Sequence, residues 1–166
     1  MEIEWYTPAQ YLVAAAQVMG AIDLDLSSTA AAKDKINQDW RGKVFITAHG
    51  RRTVPHFQLV ERLILGIATG DIVEAIFLSH NSTDTHWWQD AARRSQGICL
   101  LRKRIRFLRG IGADITEAGP SPPNGQIALY FGPRADRFRE VFGKMGRVLG
   151  KQPFKAEAAV KACEGW

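Results

Sequence analysis

The chain has 166 residues, of which 46% are hydrophobic and 23% charged, which is the composition of a globular domain, and its formal net charge of +5 favours polyanionic partners. No apolar run approaches the roughly 20 residues that a membrane-spanning helix needs, and from the acidic, aromatic start MEIEWYTP we expect no signal peptide. Two cysteines argue against a disulfide framework, so we expect a cytoplasmic protein that does not bind a membrane.

Helical and strand patterns alternate along the chain. Thr7 and Pro8 favour the start of a first helix, since threonine caps helix ends and proline suits the first turn. Helices are predicted over residues 8–19, 27–38, 54–69, 84–94 and 135–149, and strands over residues 22–26, 43–47, 74–79, 98–101, 105–108 and 126–131. This alternation predicts an α/β fold: a mostly parallel sheet of five to six strands with helices on both faces. Residues 1–150 would form this domain, and residues 151–166 a tail or a short helix.

A run of basic residues precedes the glycine- and proline-rich segment at 110–125. Between Arg93 and Arg109 the chain has seven basic residues and no acidic one. Such a run attracts polyanions through phosphate contacts and counterion release, although a solvated basic face has the same composition. We expect phosphate contacts, and not base reading, from this run and from two arginines that follow the second strand. The residues expected to bind DNA are Arg51, Arg52, Arg102, Lys103, Arg104 and Arg106.

Four segments follow one another in a recognisable order. The chain opens with WYTPAQYLVAAAQVMGAIDLDLSS, continues with EAIFLSHNSTDTHWWQDAA and ICLLRKRIRFLRG, and then has SPPNGQIALYFG. In this order and spacing they resemble segments of the small phage-type DNA N6-adenine methyltransferases, over about residues 5–146. The resemblance implies a reduced, Rossmann-like domain that uses S-adenosylmethionine to methylate the exocyclic amine of adenine in duplex DNA.

The family places Asn-Pro-Pro-Tyr or Asp-Pro-Pro-Tyr in the loop after a central strand. Its oxygen acceptors hold the amine, and its aromatic ring stacks on the flipped base. Here the four aligned residues are Thr47, Ala48, His49 and Gly50. A short hydroxyl replaces the amide, both prolines are missing, and glycine removes a stacking contact of about 1–3 kcal/mol. The catalytic motif is therefore degenerate, and an incidental or binding role suits His49 better than a catalytic one.

The resemblance also implies contacts to the cofactor. Thr7 and Pro8 would lie near its methionine moiety, and Asp23, Asp25 and Ser27 would lie in the segment that reads Asp-Pro-Ala-Ser in the family. The proline of that segment is missing here, and the chain between residues 28 and 44 is shorter than in the family. These departures weaken the expected site for S-adenosylmethionine. The alternative for both aspartates is an acidic pair that faces water.

The segment at residues 81–88, NSTDTHWW, keeps the family pattern. We expect a polar turn in which Asp84 or Thr83 caps the next helix, and either a contact with substrate or two tryptophans that pack in the core. The histidines show no metal-ligand spacing with either cysteine, so no metal site is expected.

The leading interpretation is a phage or prophage protein of the DNA adenine methyltransferase family in a bacterial host cell. Its catalysis would be impaired and its DNA binding retained, so that it could mask sites that host restriction or modification enzymes read. Two alternatives stay open. One is an active methyltransferase with an altered loop. The other is a non-catalytic module that binds a host protein and counters restriction–modification or defence.

Overall fold

The computed structural model describes residues 4–26, 39–48, 55–111, 114–116 and 122–150. These residues form nine strands and four helices. The strands are Glu4–Tyr6 (β1), Leu24–Leu26 (β2), Gly42–Thr47 (β3), Ile72–His80 (β4), Gly97–Leu101 (β5), Leu108–Ile111 (β6), Asp114–Thr116 (β7), Gln126–Phe131 (β8) and Gly146–Gly150 (β9). The helices are Ala9–Met19 (α1), His56–Thr69 (α2), His86–Arg94 (α3) and Ala135–Phe142 (α4). The helix expected at residues 27–38 and the tail at residues 151–166 lie outside the described residues.

Six strands form the central sheet in the order β2-β3-β4-β8-β5-β9. Strands β2, β3 and β4 pair in parallel, β8 inserts antiparallel between β4 and β5, and β9 pairs antiparallel with β5. The expected α/β class and the six-stranded sheet are therefore confirmed. The sheet is mixed, because β8 and β9 run opposite to the other four strands.

Helices cover both faces of the central sheet. Helices α1 and α4 pack on one face, to which β4 contributes Ile76 and Leu78. Helices α2 and α3 pack on the other face, to which the alternate residues Ala75 and Phe77 point. Because both faces are buried, β4 and β8 are nearly continuous apolar runs, as strands covered on two sides are.

The last helix is shorter than its sequence pattern predicts. The prediction of a helix over residues 135–149 is wrong after Phe142, because α4 ends there and residues 146–150 form β9. The open edge of β5 supplies hydrogen-bond partners for the backbone of this segment. Gly146 suits this close approach, since a Cβ atom at this position would lie 2.1 Å from the carbonyl oxygen of Leu100.

A second sheet, which the sequence pattern does not predict, is antiparallel and has the order β1-β6-β7. The strand expected at residues 105–108 is displaced, since β6 begins only at Leu108, and β7 forms in a segment expected to be loop. In the pairing of β1 with β6, Trp5 lies opposite Arg109. This pairing brings the basic segment next to the start of α1.

A buried carboxylate near the start of β4 joins four elements: β4, β8, α1 and α4. The Glu74 side chain, on β4, accepts a hydrogen bond of 2.6 Å from the hydroxyl of Tyr130 on β8. The guanidinium of Arg134, just before α4, donates to both oxygens of Glu74 and to the carbonyl of Met19 at the end of α1. Burial, and then the bond to Glu74, raise the pKa of Tyr130. The cluster therefore holds α1 and α4 against the sheet.

Replacement of Glu74 by alanine should lower the free energy of unfolding by about 2–3 kcal/mol, because the buried Tyr130 hydroxyl loses its charged acceptor. Urea unfolding followed by circular dichroism measures the change. The matched control is Glu140→Ala: this carboxylate also bonds an arginine, Arg137, but it lies at the surface. Its removal should leave the free energy of unfolding within error. An equal loss in both variants would contradict the role assigned to Glu74.

Candidate functional site

One edge of the central sheet gathers the carboxyl ends of β2, β3, β4 and β5. Strand β5 ends at this edge because it runs antiparallel to β8, as β4 does. The start of α1 reaches the same edge, since Thr7 contacts the last residue of β3. Ligands of α/β sheets bind at such an edge. Two groups of side chains lie along it: the remains of the expected catalytic motif, and a cationic pocket.

The first half of the expected catalytic motif is enclosed in the protein. Thr47 ends β3 and is 2% exposed, and its hydroxyl forms a buried hydrogen bond of 2.9 Å with the hydroxyl of Thr7. Ala48 is 2% exposed, and its backbone N–H donates to the carbonyl of Leu78 on β4. Neither side chain therefore faces a cleft. The second half of the motif, His49 and Gly50, lies outside the described residues, as do Arg51 and Arg52.

A double-mutant cycle should show that Thr7 and Thr47 act as a structural pair. Thr7→Val or Thr47→Val alone should lower the free energy of unfolding by about 1–3 kcal/mol, because each leaves one buried hydroxyl without a partner. The double variant should lose less than the sum of the two, since no unpaired hydroxyl remains. The measurement is chemical unfolding of all four proteins. Strictly additive losses would show that the two hydroxyls are not coupled.

The expected cofactor residues do not converge on one point. Asp23 lies before β2, at the end away from Thr47, and its carboxylate accepts a hydrogen bond of 2.8 Å from the backbone N–H of Lys43. Asp25 is half-buried within β2, where it lies opposite Phe45. The Thr7 hydroxyl is hydrogen-bonded to the Thr47 hydroxyl, whereas Pro8 lines the cationic pocket. The remaining candidate, Ser27, lies outside the described residues.

Two histidines that the sequence does not single out for this edge lie near it, and His56 forms a hydrogen bond with the backbone of Ala48. His56 opens α2 and His80 ends β4, and their ring centroids are 6.2 Å apart. The His56 ring also lies 4.8 Å from the ring of Trp87 on α3. Burial lowers the pKa of both imidazoles, and the proximity of His80 lowers that of His56 further. The sequence could have indicated each histidine separately, because one is at the end of a strand and the other at the start of a helix. Only the fold brings the two rings together.

Acid should destabilise the protein through these two rings. Each imidazole has a pKa below its ordinary value of 6.5 in the folded chain. The unfolded chain therefore binds more protons in acid, so this part of the stability is present above the ordinary pKa of 6.5 and is lost as the pH falls through the lowered pKa values of the folded chain. Thermal unfolding between pH 5 and 8 measures this loss, and His56→Gln combined with His80→Gln should reduce it. His86→Gln is the control, because His86 is exposed. An unchanged pH profile in the double variant would contradict this assignment.

The polar turn expected after β4 is present at residues 81–85. Asn81 donates its backbone N–H to the carbonyl of Gly125, and the Thr85 hydroxyl donates to the carbonyl of Ser82. The expected capping by Asp84 or Thr83 is wrong, since α3 begins after Thr85 and no side chain caps it. The two tryptophans of this segment pack against the core between α2, α3 and the sheet, which favours the packing interpretation.

The cationic pocket lies between the end of β5, the start of α1 and the turn before β9. It is a cavity of about 570 Å³. We call it the basic pocket, and its charged lining residues are Arg102, Lys103, Arg104, Arg106 and Lys144. Pro8, Gln10 and Tyr11 of α1 and the apolar Leu108 and Met145 complete the lining. The structure thus brings together four of the six residues expected to bind DNA, and it adds Lys144, which sequence reasoning missed.

Buried residues within the basic segment turn its arginines outward. Ile105 and Phe107 are buried in the core beside α1, whereas Arg104 and Arg106 are exposed. The backbone N–H of Ile105 donates to the side-chain oxygen of Gln126, a buried residue of β8, at 2.9 Å. Buried and exposed side chains thus alternate from Arg104 to Phe107, although these residues are not in a strand.

No protein-family model, curated protein or solved structure matches the chain. Across the part of the chain that the structure describes, no group of three or more His, Cys, Asp or Glu could hold a metal ion. In the same part, no helix is long and apolar enough to cross a bilayer. Function is therefore inferred from the motifs in the sequence and from the geometry of this edge.

Proposed function

We propose that this chain is a methyltransferase-like, DNA-binding protein of phage or prophage origin that does not transfer a methyl group. The motifs at residues 5–146 support the ancestry. The main support for the absence of methyl transfer is that Thr47 and Ala48 are buried and that the Thr47 hydroxyl is bonded to Thr7. In a bacterial host such a protein would occupy DNA sites that restriction or modification enzymes read.

The chemistry of adenine methylation explains why this enclosure matters. The lone pair of the exocyclic nitrogen is delocalised into the ring, so acceptors must hold its N–H groups while the nitrogen attacks the methyl group. The Thr47 hydroxyl is engaged with Thr7 inside the protein, and Ala48 has no acceptor on its side chain. The first motif position, which supplies the essential acceptor in the family, therefore does not face a substrate.

The described residues do not fit S-adenosylmethionine. A site for it needs free polar groups near the ribose hydroxyls and the methionine ammonium. The Thr7 hydroxyl bonds Thr47, and the Asp23 carboxylate bonds the start of β3 at the opposite end of the strand. Only Asp25 lies within the strand that leads to the expected site. The proposed function therefore includes no step that uses this cofactor.

DNA binding is supported by exposed cationic residues. The described chain exposes the cations of the basic pocket and, outside it, those of Arg93, Arg94 and Arg109. Such side chains contact phosphates, which gives affinity without sequence reading. The expected partner is duplex DNA, bound through its backbone.

The full chain should bind duplex DNA without methylating it. With labelled S-adenosylmethionine and duplexes of several sequences, no label should enter the DNA. Fluorescence anisotropy should detect binding that weakens on the order of a hundredfold between 50 and 200 mM salt, if about four phosphates are contacted.

Each rival function predicts a different outcome of this experiment. Incorporated label that disappears in Asp25→Ala would establish an active methyltransferase with an altered loop. No binding to DNA at low salt, together with specific capture of one host protein, would establish a protein-interaction module. Calorimetric titration with S-adenosylmethionine adds an independent measurement, and we expect no heat of binding.

A further inference from the structure

The basic pocket combines a cavity with a lining of one sign of charge. Five of its lining residues are cationic and none is acidic. Lys144 acts electrostatically on Glu140, but the Glu140 carboxylate is bound to Arg137 at 2.7 Å. Among the described residues that line the pocket, no carboxylate offsets the positive charge.

The start of α1 adds to this charge. Pro8 and Gln10 line the pocket, so the first turn of α1 borders it. That turn has no acidic residue, and no side chain caps it. The backbone N–H groups at the start of a helix lack intrahelical partners and carry partial positive charge, which favours an anion. The helix end and the five cations thus favour the same kind of ligand.

Backbone hydrogen bonds and one of the five cations, Arg104, hold the pocket in shape. The backbone N–H of Arg102 donates to the carbonyl of Met145 at 3.0 Å. Gln126 holds the backbone of Ile105, and the Arg104 guanidinium donates to the carbonyl of Pro122. Because the pocket exists before any ligand binds, a ligand does not have to order the segment. The side chains of Arg102, Lys103, Arg106 and Lys144 stay exposed and available.

The size of the pocket limits the ligand. A volume of about 570 Å³ is that of a small-molecule site. A duplex presents its phosphates on the outside of a wide, stiff cylinder, so few of them can reach into such a cavity. An unpaired nucleotide can, because its backbone bends and its phosphate is not held at a fixed distance from a second strand. The buried Tyr11 forms part of the wall, so we expect affinity from the phosphates and not from base stacking.

We propose that the basic pocket binds the phosphates of unpaired nucleotides, in preference to the backbone of a duplex. This inference rests on the proposed DNA binding and specifies where an unpaired segment or strand end is held. The same phosphate chemistry exists in a free nucleoside triphosphate, so both sources are tested. Duplex DNA would contact the cations outside the pocket.

The experiment compares two variants that lose the same charge. The pocket variant is Arg102→Ser with Lys144→Ser, and the control is Arg41→Ser with Arg93→Ser, which are exposed residues outside the pocket. Anisotropy titrations use a labelled single-stranded oligonucleotide, the same strand in a blunt duplex, and a fluorescent nucleoside triphosphate. Circular dichroism and thermal unfolding verify that each variant folds, and Lys144→Ser alone serves if the double variant does not.

We expect the wild-type chain to bind the single strand more tightly than the duplex. The pocket variant should lose about tenfold in affinity for the single strand per contact removed. Its salt slope should fall by about 1.4, the value for two phosphates of a single strand. The control variant should lose less affinity for the single strand than for the duplex. Binding of the triphosphate that depends on the pocket, without binding of the strand, would identify a free nucleotide as the ligand.

Other outcomes overturn the proposal, and they separate it from the proposed function. If the duplex binds as tightly as the single strand, and both variants weaken both ligands equally, the pocket has no preference and the proposal fails. DNA binding, and with it the proposed function, would survive that result. If the chain binds neither form of DNA and no triphosphate, both are overturned.

Discussion

The buried carboxylate of Glu74 is the interaction on which the positions of the other elements depend. Through Arg134 it holds the carbonyl of Met19, and so it sets where α1 ends. The other end of α1 is set by the hydrogen bond between Thr7 and Thr47. A carboxylate that is 3% exposed requires such partners, because an unpaired charge in the interior is strongly unfavourable. With both ends held, α1 can form a wall of the basic pocket.

The two groups of side chains at the candidate edge have opposite characters. Around Thr47 the protein is closed: hydroxyls pair with each other, and Ala48 is packed against β4. Around Arg102 it is open and cationic, with a cavity that the backbone maintains. The hydroxyls of the first region are engaged within the protein, whereas the second region presents exposed cations to solvent. The two residues just before α1 contribute to both regions, since Thr7 is hydrogen-bonded to Thr47 and Pro8 lines the basic pocket.

Local sequence predicted much of the fold, and its failures have identifiable causes. Strand β8 was predicted with its correct bounds, because QIALYF is a short apolar run between turn signals. The helix predicted through residue 149 fails because residues 146–150 complete the edge of β5, a partner far away in the chain. For the site, the sequence indicated the cations of the basic segment but not Lys144. Lys144 falls within the helix predicted over residues 135–149, where a lysine is expected to face solvent and gives no sign of a site.

The sequence by itself determined the α/β class, the resemblance of four segments to methyltransferase motifs, the residues at positions 47–50 and the excess of positive charge, because each depends on residue type and short-range order. Only the tertiary structure decided that β8 enters the sheet antiparallel, that Thr47 bonds Thr7 across 40 residues, and that the basic segment borders a cavity with α1. These features depend on contacts between residues distant in the chain. Their energies come from burial and pairing that no local pattern encodes.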